Sequence, residues 1–329
     1  MAKQITKLGA TGPAVFPLGL GCMGMSGMYG ATDDAESVAT IQAAIDAGVT
    51  LIDTGDFYGM GHNELLIREA IKGRRERVTV SVKFGALRAP NNAWLGFDAR
   101  PAAVKTWVAY SLKRLGVEAI DICRPARLDA AVPIEDTIGA IQDLIKEGYV
   151  RHIGLSEVGT STIERASKVH PIADLQIEYA LATRGAEATI FPKLEQLGIG
   201  ATLYGVMSRG LLTGSKPQGK GDFRAFLPRF TGDNRAKNDA VVDAINGFAK
   251  ERSMTTGQLT VAWVLAKQPR LVPLIGAKTR KQLSDALGAL DKPLSAADVA
   301  ALEQLVPEGA VVGTRYGAEQ MAHLDSERG

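Results

Sequence analysis

The sequence predicts an α/β fold, a closed (β/α)8 TIM barrel formed as one domain by residues 1–329. Eight short apolar runs alternate with stretches of helical periodicity, which indicates parallel strands. An amphipathic stretch, a glycine and then a β-branched or aromatic residue recur at Gly48, Gly116, Gly148 and Gly198. Because no shift in composition divides the chain, eight units favour a closed barrel. An open, doubly wound sheet in two domains is the alternative.

The barrel strands are predicted, in chain order, at residues 17–23, 49–53, 78–83, 120–124, 152–156, 175–179, 201–204 and 272–275. Residues 4–16, with Thr11-Gly12-Pro13 at their middle, predict a β-hairpin ahead of the first of these strands. Pro101 predicts a helix start, and Ser295 with Asp298 resembles a capping box. Two long segments without regular structure, 88–100 and 213–234, are expected to overhang the carboxyl face of the barrel.

Composition limits the function classes. The net charge of +2 gives no argument for a nucleic acid or an anionic membrane as partner, and no apolar run approaches the ~18 residues of a membrane helix. The N-terminal residues lack the apolar region of a signal peptide, so a cytoplasmic enzyme is expected. Two cysteines without paired spacing and four dispersed histidines argue against a disulfide framework and against a metal site. The oligomeric state is not indicated.

Three residues at predicted strand ends form a candidate catalytic group. Asp53 ends the second strand run, Tyr58 follows in a glycine-rich loop, and Lys83 ends the third run. A neighbouring ammonium favours the phenolate form of a tyrosine, and a carboxylate can hold that ammonium in place. This combination suits proton transfer to an oxygen while another agent moves a hydride. His62, close to Tyr58 in the sequence, is a weaker candidate for the same site.

Two glycine-containing motifs bear on nucleotide binding. Residues 19–24 match G-x-G-x-x-G, but no helix pattern starts inside the motif and no acidic residue ends a strand about 20 positions later, so a Rossmann site is not predicted. Gly276 to Arg280 place two cations and a hydroxyl at a predicted helix start, which suits a phosphate. A solvated charge run at a helix start explains the same pattern equally well.

With these residues in view, the chain resembles the aldo-keto reductase superfamily over essentially its full length, in the branch of potassium-channel β subunits and pyridoxal- or perakine-type reductases. The shared stretches are Leu18-Gly-Leu-Gly-Cys-Met-Gly24, Ile52-Asp-Thr-Gly-Asp-Phe-Tyr-Gly59, Ser111-Leu-Lys-Arg-Leu-Gly116, Gly154-Leu-Ser-Glu157, Leu175-Gln-Ile-Glu-Tyr179, Arg209-Gly-Leu-Leu-Thr-Gly214 and Gly276 with Gln282. The resemblance implies a (β/α)8 barrel that binds NADPH in extended form, and a small carbonyl compound as substrate.

Position by position, the resemblance implies that Asp53, Tyr58 and Lys83 are three members of a catalytic tetrad. It implies that Tyr204 stacks on the nicotinamide, that Ser156 and Gln176 contact its carboxamide, and that Glu157 stands where many relatives have asparagine. The full set of implied cofactor-binding residues is Gly21, Cys22, Met23, Asp53, Ser156, Glu157, Gln176, Tyr204, Gly205, Val206, Ser208, Arg209, Gly210, Leu211, Gly276, Lys278, Thr279, Arg280, Gln282 and Asp285.

The chain departs from the resemblance at the end of the fourth strand. Relatives read Asp-Leu-Tyr-Tyr-Gln-His-Arg-x-Asp, whereas this chain reads Asp121-Ile-Cys-Arg-Pro-Ala-Arg-Leu-Asp129, so Ala126 stands at the place of the tetrad histidine. Losing that hydrogen-bond donor costs about 10²–10³ in rate. Three explanations stay open: Arg124 or Arg127 replaces the donor, a larger substrate fills the space, or carbonyl reduction is weak. The leading hypothesis is an NADPH-dependent reductase of aldehydes or ketones; the alternative is a nicotinamide-binding sensor or interaction subunit with little turnover.

Overall fold

A computed structural model describes residues 5–219 and 221–328. Its strands are, in chain order, β1 Thr6–Lys7, β2 Ala14–Val15, β3 Gly19–Gly21, β4 Leu51–Gly55, β5 Thr79–Phe84, β6 Ala86–Arg88, β7 Trp94–Phe97, β8 Ile120–Pro125, β9 Val150–Ser156, β10 Ile172–Glu178, β11 Gly200–Tyr204 and β12 Val272–Gly276. Strands β3, β4, β5, β8, β9, β10, β11 and β12 form a closed parallel barrel in that order. The predicted (β/α)8 fold is confirmed, and each barrel strand overlaps its predicted range.

The helices are α1 Asp34–Asp46, α2 His62–Ile71, α3 Pro101–Leu115, α4 Ile134–Lys146, α5 Thr160–Val169, α6 Ile190–Leu197, α7 Gly232–Glu251, α8 Thr256–Lys267, α9 Arg280–Leu287, α10 Ala296–Leu305 and α11 Ala318–Met321. The four glycines that mark helix-to-strand connections all have positive φ, between 66° and 95°. That left-handed conformation ends each helix at low steric cost, so the next strand follows within a few residues. Pro101 opens α3, and Ser295 and Asp298 form the predicted capping box of α10.

The N-terminal hairpin is confirmed as an antiparallel pair of β1 and β2, while Gln4, where its predicted range begins, lies outside the described residues. The hairpin closes the amino end of the barrel. Leu8 and Val15 are buried in a small apolar cluster with residues of four barrel strands. With this end filled, the carboxyl ends of the strands form the open mouth.

The two segments expected to lack regular structure do contain some. Residues 86–97 form the antiparallel hairpin of β6 and β7, and residues 223–230 form two 3-10 turns before α7 starts at Gly232. These elements show no periodic pattern in the sequence because they are stabilised by long-range packing. Trp94, for example, stacks edge-on against Phe57 at 6.2 Å between ring centroids. No helix in the described part of the chain is long and apolar enough to cross a membrane.

Candidate active site

Asp53, Tyr58 and Lys83 meet at the carboxyl end of the barrel. Strands β4 and β5 pair in parallel, and their register sets Asp53 beside Ser81 and Gly55 beside Lys83. Lys83 Nζ donates a short hydrogen bond to Asp53 Oδ1 within an ion pair whose side chains are almost fully buried. The same ammonium lies 5.2 Å from the centroid of the Tyr58 ring. The structure therefore brings the three predicted catalytic residues into one contact group.

Burial controls the acidity of this group. The pKa of Tyr58 is raised well above its usual value, mainly by burial, with Asp53 adding to the rise and Arg127 opposing it. Burial also lowers the pKa of Lys83, although the attraction of Asp53 works against this. Burial thus outweighs the lowering of the Tyr58 pKa that is expected from the neighbouring ammonium of Lys83. A neutral phenol is the form that can donate a proton.

A ring of buried polar side chains supports Asp53 from inside the barrel. Asp53 Oδ2 accepts hydrogen bonds from Ser81 Oγ at 2.9 Å and from Gln176 Nε2 at 2.8 Å. Arg124 donates to Ser81 Oγ at 2.9 Å and to Asp174 Oδ2 at 3.0 Å. Thr202, which donates to Asp174 and accepts from Gln176, closes the ring. Because Arg124 is fully buried in this ring, its guanidinium lies below the mouth of the barrel and binds the ring residues there.

Ala126 lies on the inward face of β8 where that strand leaves the barrel. Its N–H donates to Phe84 O at 2.8 Å, so the ladder with β5 continues one residue beyond Pro125. Side chains two residues apart share a face of a strand, and Arg124 points into the barrel. Ala126 therefore follows Arg124 on the interior side, one level closer to the mouth, where it presents only a methyl group.

The C-terminal segment, residues 310–328, closes over this mouth. Arg315 binds both carboxylate oxygens of Glu157, at 2.9 Å and 2.8 Å, and lies 3.4 Å from Glu178 Oε2. The hydroxyl of Tyr316 lies 3.1 Å from that of Tyr204. Burial favours the neutral form of Glu157, but Arg315 outweighs it and holds the pKa of that carboxyl well below its usual range.

Aromatic rings form one wall of the mouth. Tyr58 packs edge-on against Phe57 at 4.8 Å between centroids, and Phe57 packs against Trp94 of the β6–β7 hairpin. Trp94 contacts Phe97, which contacts His323 of the C-terminal segment at 5.3 Å. The indole N–H of Trp94 is buried without a partner among the described residues. An apolar wall with a free donor suits an organic molecule carrying an oxygen.

The strand-end residues that are expected to bind the nicotinamide lie on neighbouring strands, and each of them contacts other residues of the protein. Ser156 and Gln176 are paired across β9 and β10, and Tyr204 follows on β11 opposite Glu178. Ser156 Oγ accepts a long hydrogen bond from Arg127, at 3.4 Å. Glu157 has a φ of 52°, and Arg315 binds both oxygens of its carboxylate. A ligand would therefore have to share either oxygen with Arg315.

The segment after β11 is tightly wound. Ser208 and Arg209 have positive φ values of 47° and 57°, and Gly205 and Gly210 flank them, also with positive φ. The Ser208 hydroxyl is buried without a partner among the described residues. Arg209 donates to Glu178 Oε2 at 2.7 Å. Val206 and Leu211 are buried and fix the segment to the core.

The residues expected at the adenosine phosphate gather at the start of α9, after Gly276. Thr279 caps the helix by accepting from the Gln282 N–H, and Gln282 Oε1 accepts from the Lys278 N–H. The Arg280 guanidinium is held by Glu36 in a two-point ion pair. Asp285 accepts a hydrogen bond from Thr255 Oγ1 at 3.0 Å.

Gly21, Cys22 and Met23 lie where β3 ends beside β4. Cys22 N donates to Asp53 O, and Cys22 O accepts from Asn63 Nδ2, both at 2.9 Å. A short 3-10 turn starts at Met23, and α1 starts only at Asp34, which agrees with the absence of a Rossmann site. The two ring nitrogens of His62 bind Ser26 and Asp34, so hydrogen bonds to these residues, and not to Tyr58, hold the imidazole.

Several residues of the site were not predicted. Ser81, Asp174 and Thr202 support Asp53 from strand interiors, and Arg315 and Tyr316 arrive from the far end of the chain. The strand residues could have been found from alternation, because a polar side chain in an apolar run points to a buried contact. Nothing local in the sequence marks Arg315 or Tyr316. Among the described residues, no group of His, Cys, Asp and Glu side chains could hold a metal ion.

The closed barrel that carries this site is a fold which the chain shares with known enzymes. The model of the Aldo/keto reductase family matches residues 17–307, so the chain belongs to this family and is an oxidoreductase. Over 318 residues it is 38% identical to "Probable aldo-keto reductase 1" of Glycine max, covering 95% of this chain and 92% of the relative.

Solved structures agree. The glycerol dehydrogenase AKR11B4 of Gluconobacter oxydans superposes with a TM-score of 0.84 at 28% identity, over 95% of this chain and 98% of that one. An aldo-keto reductase of Klebsiella pneumoniae in complex with NADPH gives a TM-score of 0.74 at 27% identity, over 96% and 99% of the two chains.

Proposed function

We propose that this protein is an NADPH-dependent reductase that converts an aldehyde or ketone to an alcohol, with Tyr58 as proton donor. The observation that carries the proposal is the contact group at the mouth: a buried, neutral phenol beside an ammonium that is held by Asp53. The NADPH complex of the Klebsiella pneumoniae relative supports the choice of cofactor. We also propose that the protein is cytoplasmic. We propose further that it belongs to the branch of the family with potassium-channel β subunits and pyridoxal or perakine reductases.

The residues present fit a nicotinamide dinucleotide. The Ser208 hydroxyl is a buried donor without a partner among the described residues, and Ser208 and Arg209 have left-handed backbone conformations. An added Cβ at Gly276 would meet open space, so the end of β12 leaves room beside the start of α9. Tyr204, Ser156 and Gln176 would hold the nicotinamide, residues 205–211 the pyrophosphate, and Lys278, Thr279, Arg280, Gln282 and Asp285 the adenosine phosphate end.

When bound, NADPH would supply the hydride that the carbonyl carbon accepts. Tyr58 Oη donates its proton to the carbonyl oxygen as negative charge develops there, so the alcohol leaves neutral. Lys83 stabilises the phenolate that forms, and Asp53 keeps the ammonium charged and in place. The phenolate regains a proton from solvent. The ring through Ser81 and Gln176 holds Asp53 so that this geometry persists between turnovers.

The test is a panel of aldehydes and ketones with NADPH oxidation followed by absorbance, for the wild type and Tyr58→Phe. We expect the variant to lose at least about 10²-fold in kcat, because general acid catalysis contributes that much. Its dissociation constant for NADPH, from fluorescence titration, should change less than about threefold, because the phenol acts in the transition state. A variant that retains more than about a tenth of kcat would exclude Tyr58 as the proton donor. No turnover of any carbonyl by a wild type that binds NADPH would favour the sensor or interaction subunit instead.

A further inference from the structure

Arg127 differs from the other cations around the barrel mouth in its partners. Lys83, Arg209, Arg229 and Arg315 each form an ion pair with a carboxylate. Within residues 5–219 and 221–328, Arg127 forms none: its guanidinium contacts a carbonyl and two hydroxyls. The mouth therefore holds one positive charge that the described part of the protein does not neutralise by direct contact.

The contacts of Arg127 leave much of its hydrogen-bonding capacity unused. Nη1 donates to Ala126 O at 2.7 Å and lies 3.4 Å from Ser156 Oγ, and Nη2 lies 3.4 Å from the Tyr316 hydroxyl. Both contacts to hydroxyls are at the long limit of a hydrogen bond. A guanidinium carries five N–H donors in a planar fork that matches a carboxylate. A ligand oxygen could replace either hydroxyl with a gain in bond strength.

Arg127 also lies close to the reacting groups. It follows Ala126 at the end of β8, the strand on which Arg124 pairs with Lys83, and its Nη1 lies 3.4 Å from Ser156 Oγ at the end of β9. Its charge also opposes the rise in the pKa of Tyr58. The neighbouring Ala126 offers only a methyl group to the interior, so no polar side chain at position 126 competes with a substrate for the Arg127 guanidinium. Arg124, the other arginine of this strand end, is held by Ser81 and Asp174 in the ring below.

We infer that Arg127 is a substrate-binding residue that anchors a carboxylate next to the reacting carbonyl, so that the preferred substrates are 2-oxo acids, reduced to 2-hydroxy acids. A planar 2-oxo acid presents its ketone oxygen and one carboxylate oxygen on the same side. One edge of a guanidinium can donate to both, which fixes the substrate and polarises the ketone without an imidazole at position 126. Hydride adds to C2, the proton of Tyr58 goes to the C2 oxygen, and Arg127 keeps its own protons throughout.

Tyr316 and Arg315 position Arg127 for this role. Arg315 fastens the C-terminal segment to Glu157, and the next residue, Tyr316, reaches the Arg127 guanidinium with its hydroxyl. The ring of Tyr316 also lies 4.4 Å from the Arg209 guanidinium. The segment thus holds Arg127 at the mouth with neutral groups, without cancelling its charge.

Because this inference rests on the proposed function, the experiment compares pairs of substrates that differ only in charge: pyruvate with methyl pyruvate, and phenylglyoxylate with its methyl ester. For the wild type with NADPH, we expect kcat/KM for each acid to exceed that for its ester by at least about tenfold. Arg127→Gln should lower this acid-to-ester ratio by at least about tenfold, and Arg127→Lys, which keeps the charge without the fork, should give an intermediate ratio.

The matched control is Arg270→Gln, which removes an exposed arginine paired with Glu195 ahead of β12. Its ratio should equal that of the wild type. A wild type that reduces esters and neutral aldehydes with no preference for acids overturns the inference and leaves the proposed function standing, whereas no turnover of any carbonyl removes the proposed function itself. An unchanged ratio in a folded Arg127→Gln variant also overturns the inference, and shows that Arg127 only fastens Tyr316.

A binding measurement gives a readout apart from turnover. Oxamate, an unreactive analogue of a 2-oxo acid, is titrated calorimetrically into the wild type and each variant in the presence of NADP⁺. We expect oxamate to bind the wild type and Arg270→Gln equally, and Arg127→Gln at least about tenfold more weakly. Equal affinity in all three proteins would contradict the assignment of Arg127.

Discussion

Asp56 shows how a single buried carboxyl near the site couples stability to pH. It lies between Asp53 and Tyr58, and its Oδ2 accepts from the Gly85 N–H while Oδ1 has no partner among the described residues. Burial raises the pKa of Asp56 to about 7, with a further rise from Glu64 and an opposing effect from the Gly85 N–H. At neutral pH the fold therefore holds a carboxyl that resists ionisation.

We predict that Asp56→Asn removes a pH dependence from the free energy of unfolding. The folded pKa is about 7 and the unfolded value is 3.8, so the folded state binds the extra proton between these values and stability falls as pH rises through that window. At pH 8 the variant should be more stable than the wild type by roughly 2–4 kcal/mol, since one pKa unit is about 1.4 kcal/mol.

Urea unfolding of the two proteins in buffers at about pH 4.5, 6 and 8 measures this difference. It should be small at the acid end and grow toward the alkaline end. A difference that stays constant across the three buffers would show that Asp56 ionises normally.

At the scale of the elements, glycine contacts decide how the N-terminal hairpin docks on the barrel. Gly9 and Gly200 approach so closely that a Cβ added at Gly200 would lie 2.6 Å from the Gly9 nitrogen. Ala10 N also donates to Gly198 O at 2.7 Å, beside this contact. The hairpin can bury Leu8 in the amino end of the barrel only while both backbones lack side chains.

We predict opposite effects from two Gly→Ala changes. Gly200→Ala should lower the free energy of unfolding by roughly 1–3 kcal/mol, because the added methyl overpacks a backbone contact. Gly139→Ala, in the middle of α4 with nothing within 4 Å of the added Cβ, should raise it by about 0.5–1 kcal/mol through helix propensity. Calorimetric melting of both variants tests the pair. Equal shifts in Tm would mean that the close approach of hairpin and barrel does not constrain the fold.

At the scale of the whole molecule, segments far apart in the sequence meet at the start of α9, where we propose that the adenosine phosphate of NADPH binds. Lys278 Nζ donates to Tyr29 O at 3.0 Å and to Ala31 O at 3.2 Å, joining the end of the barrel to the loop before α1. Phe223 N donates to Met28 O at 3.1 Å from a third segment. Glu36 of α1 binds the Arg280 N–H and guanidinium, and this pairing lowers the pKa of the Glu36 carboxyl.

We predict that Glu36 competes with the 2′-phosphate of NADPH for Arg280. Glu36→Gln should strengthen NADPH binding by about twofold to fivefold, because exposed charge pairs are screened by solvent and contribute little. NADH binding, which lacks this phosphate, should change far less. Fluorescence titration of both cofactors at low and high salt measures the effect, with the wild type expected to prefer NADPH. An equal gain for NADH would show that Glu36 affects cofactor binding without competing with the 2′-phosphate.

The sequence by itself determined the barrel and the nucleus of the site. Helix, glycine and strand signals are local, because capping and backbone conformation depend on neighbouring residues, and Gly48, Gly116, Gly148 and Gly198 marked their turns correctly. Asp53, Tyr58 and Lys83 could be predicted as a group because parallel strands bring their carboxyl ends to one edge.

Only the tertiary structure decided what surrounds that nucleus. The attachment of Arg315 to Glu157, the contacts of the Arg127 guanidinium with two hydroxyls and the burial that raises the Tyr58 pKa all arise from contacts between distant segments. The roles of arginines 124 and 127 differ for the same reason: one side chain points into the sealed barrel and the other toward its mouth. A local pattern specifies which conformation a segment adopts, whereas the charge and solvent exposure of a site depend on which segments pack against it.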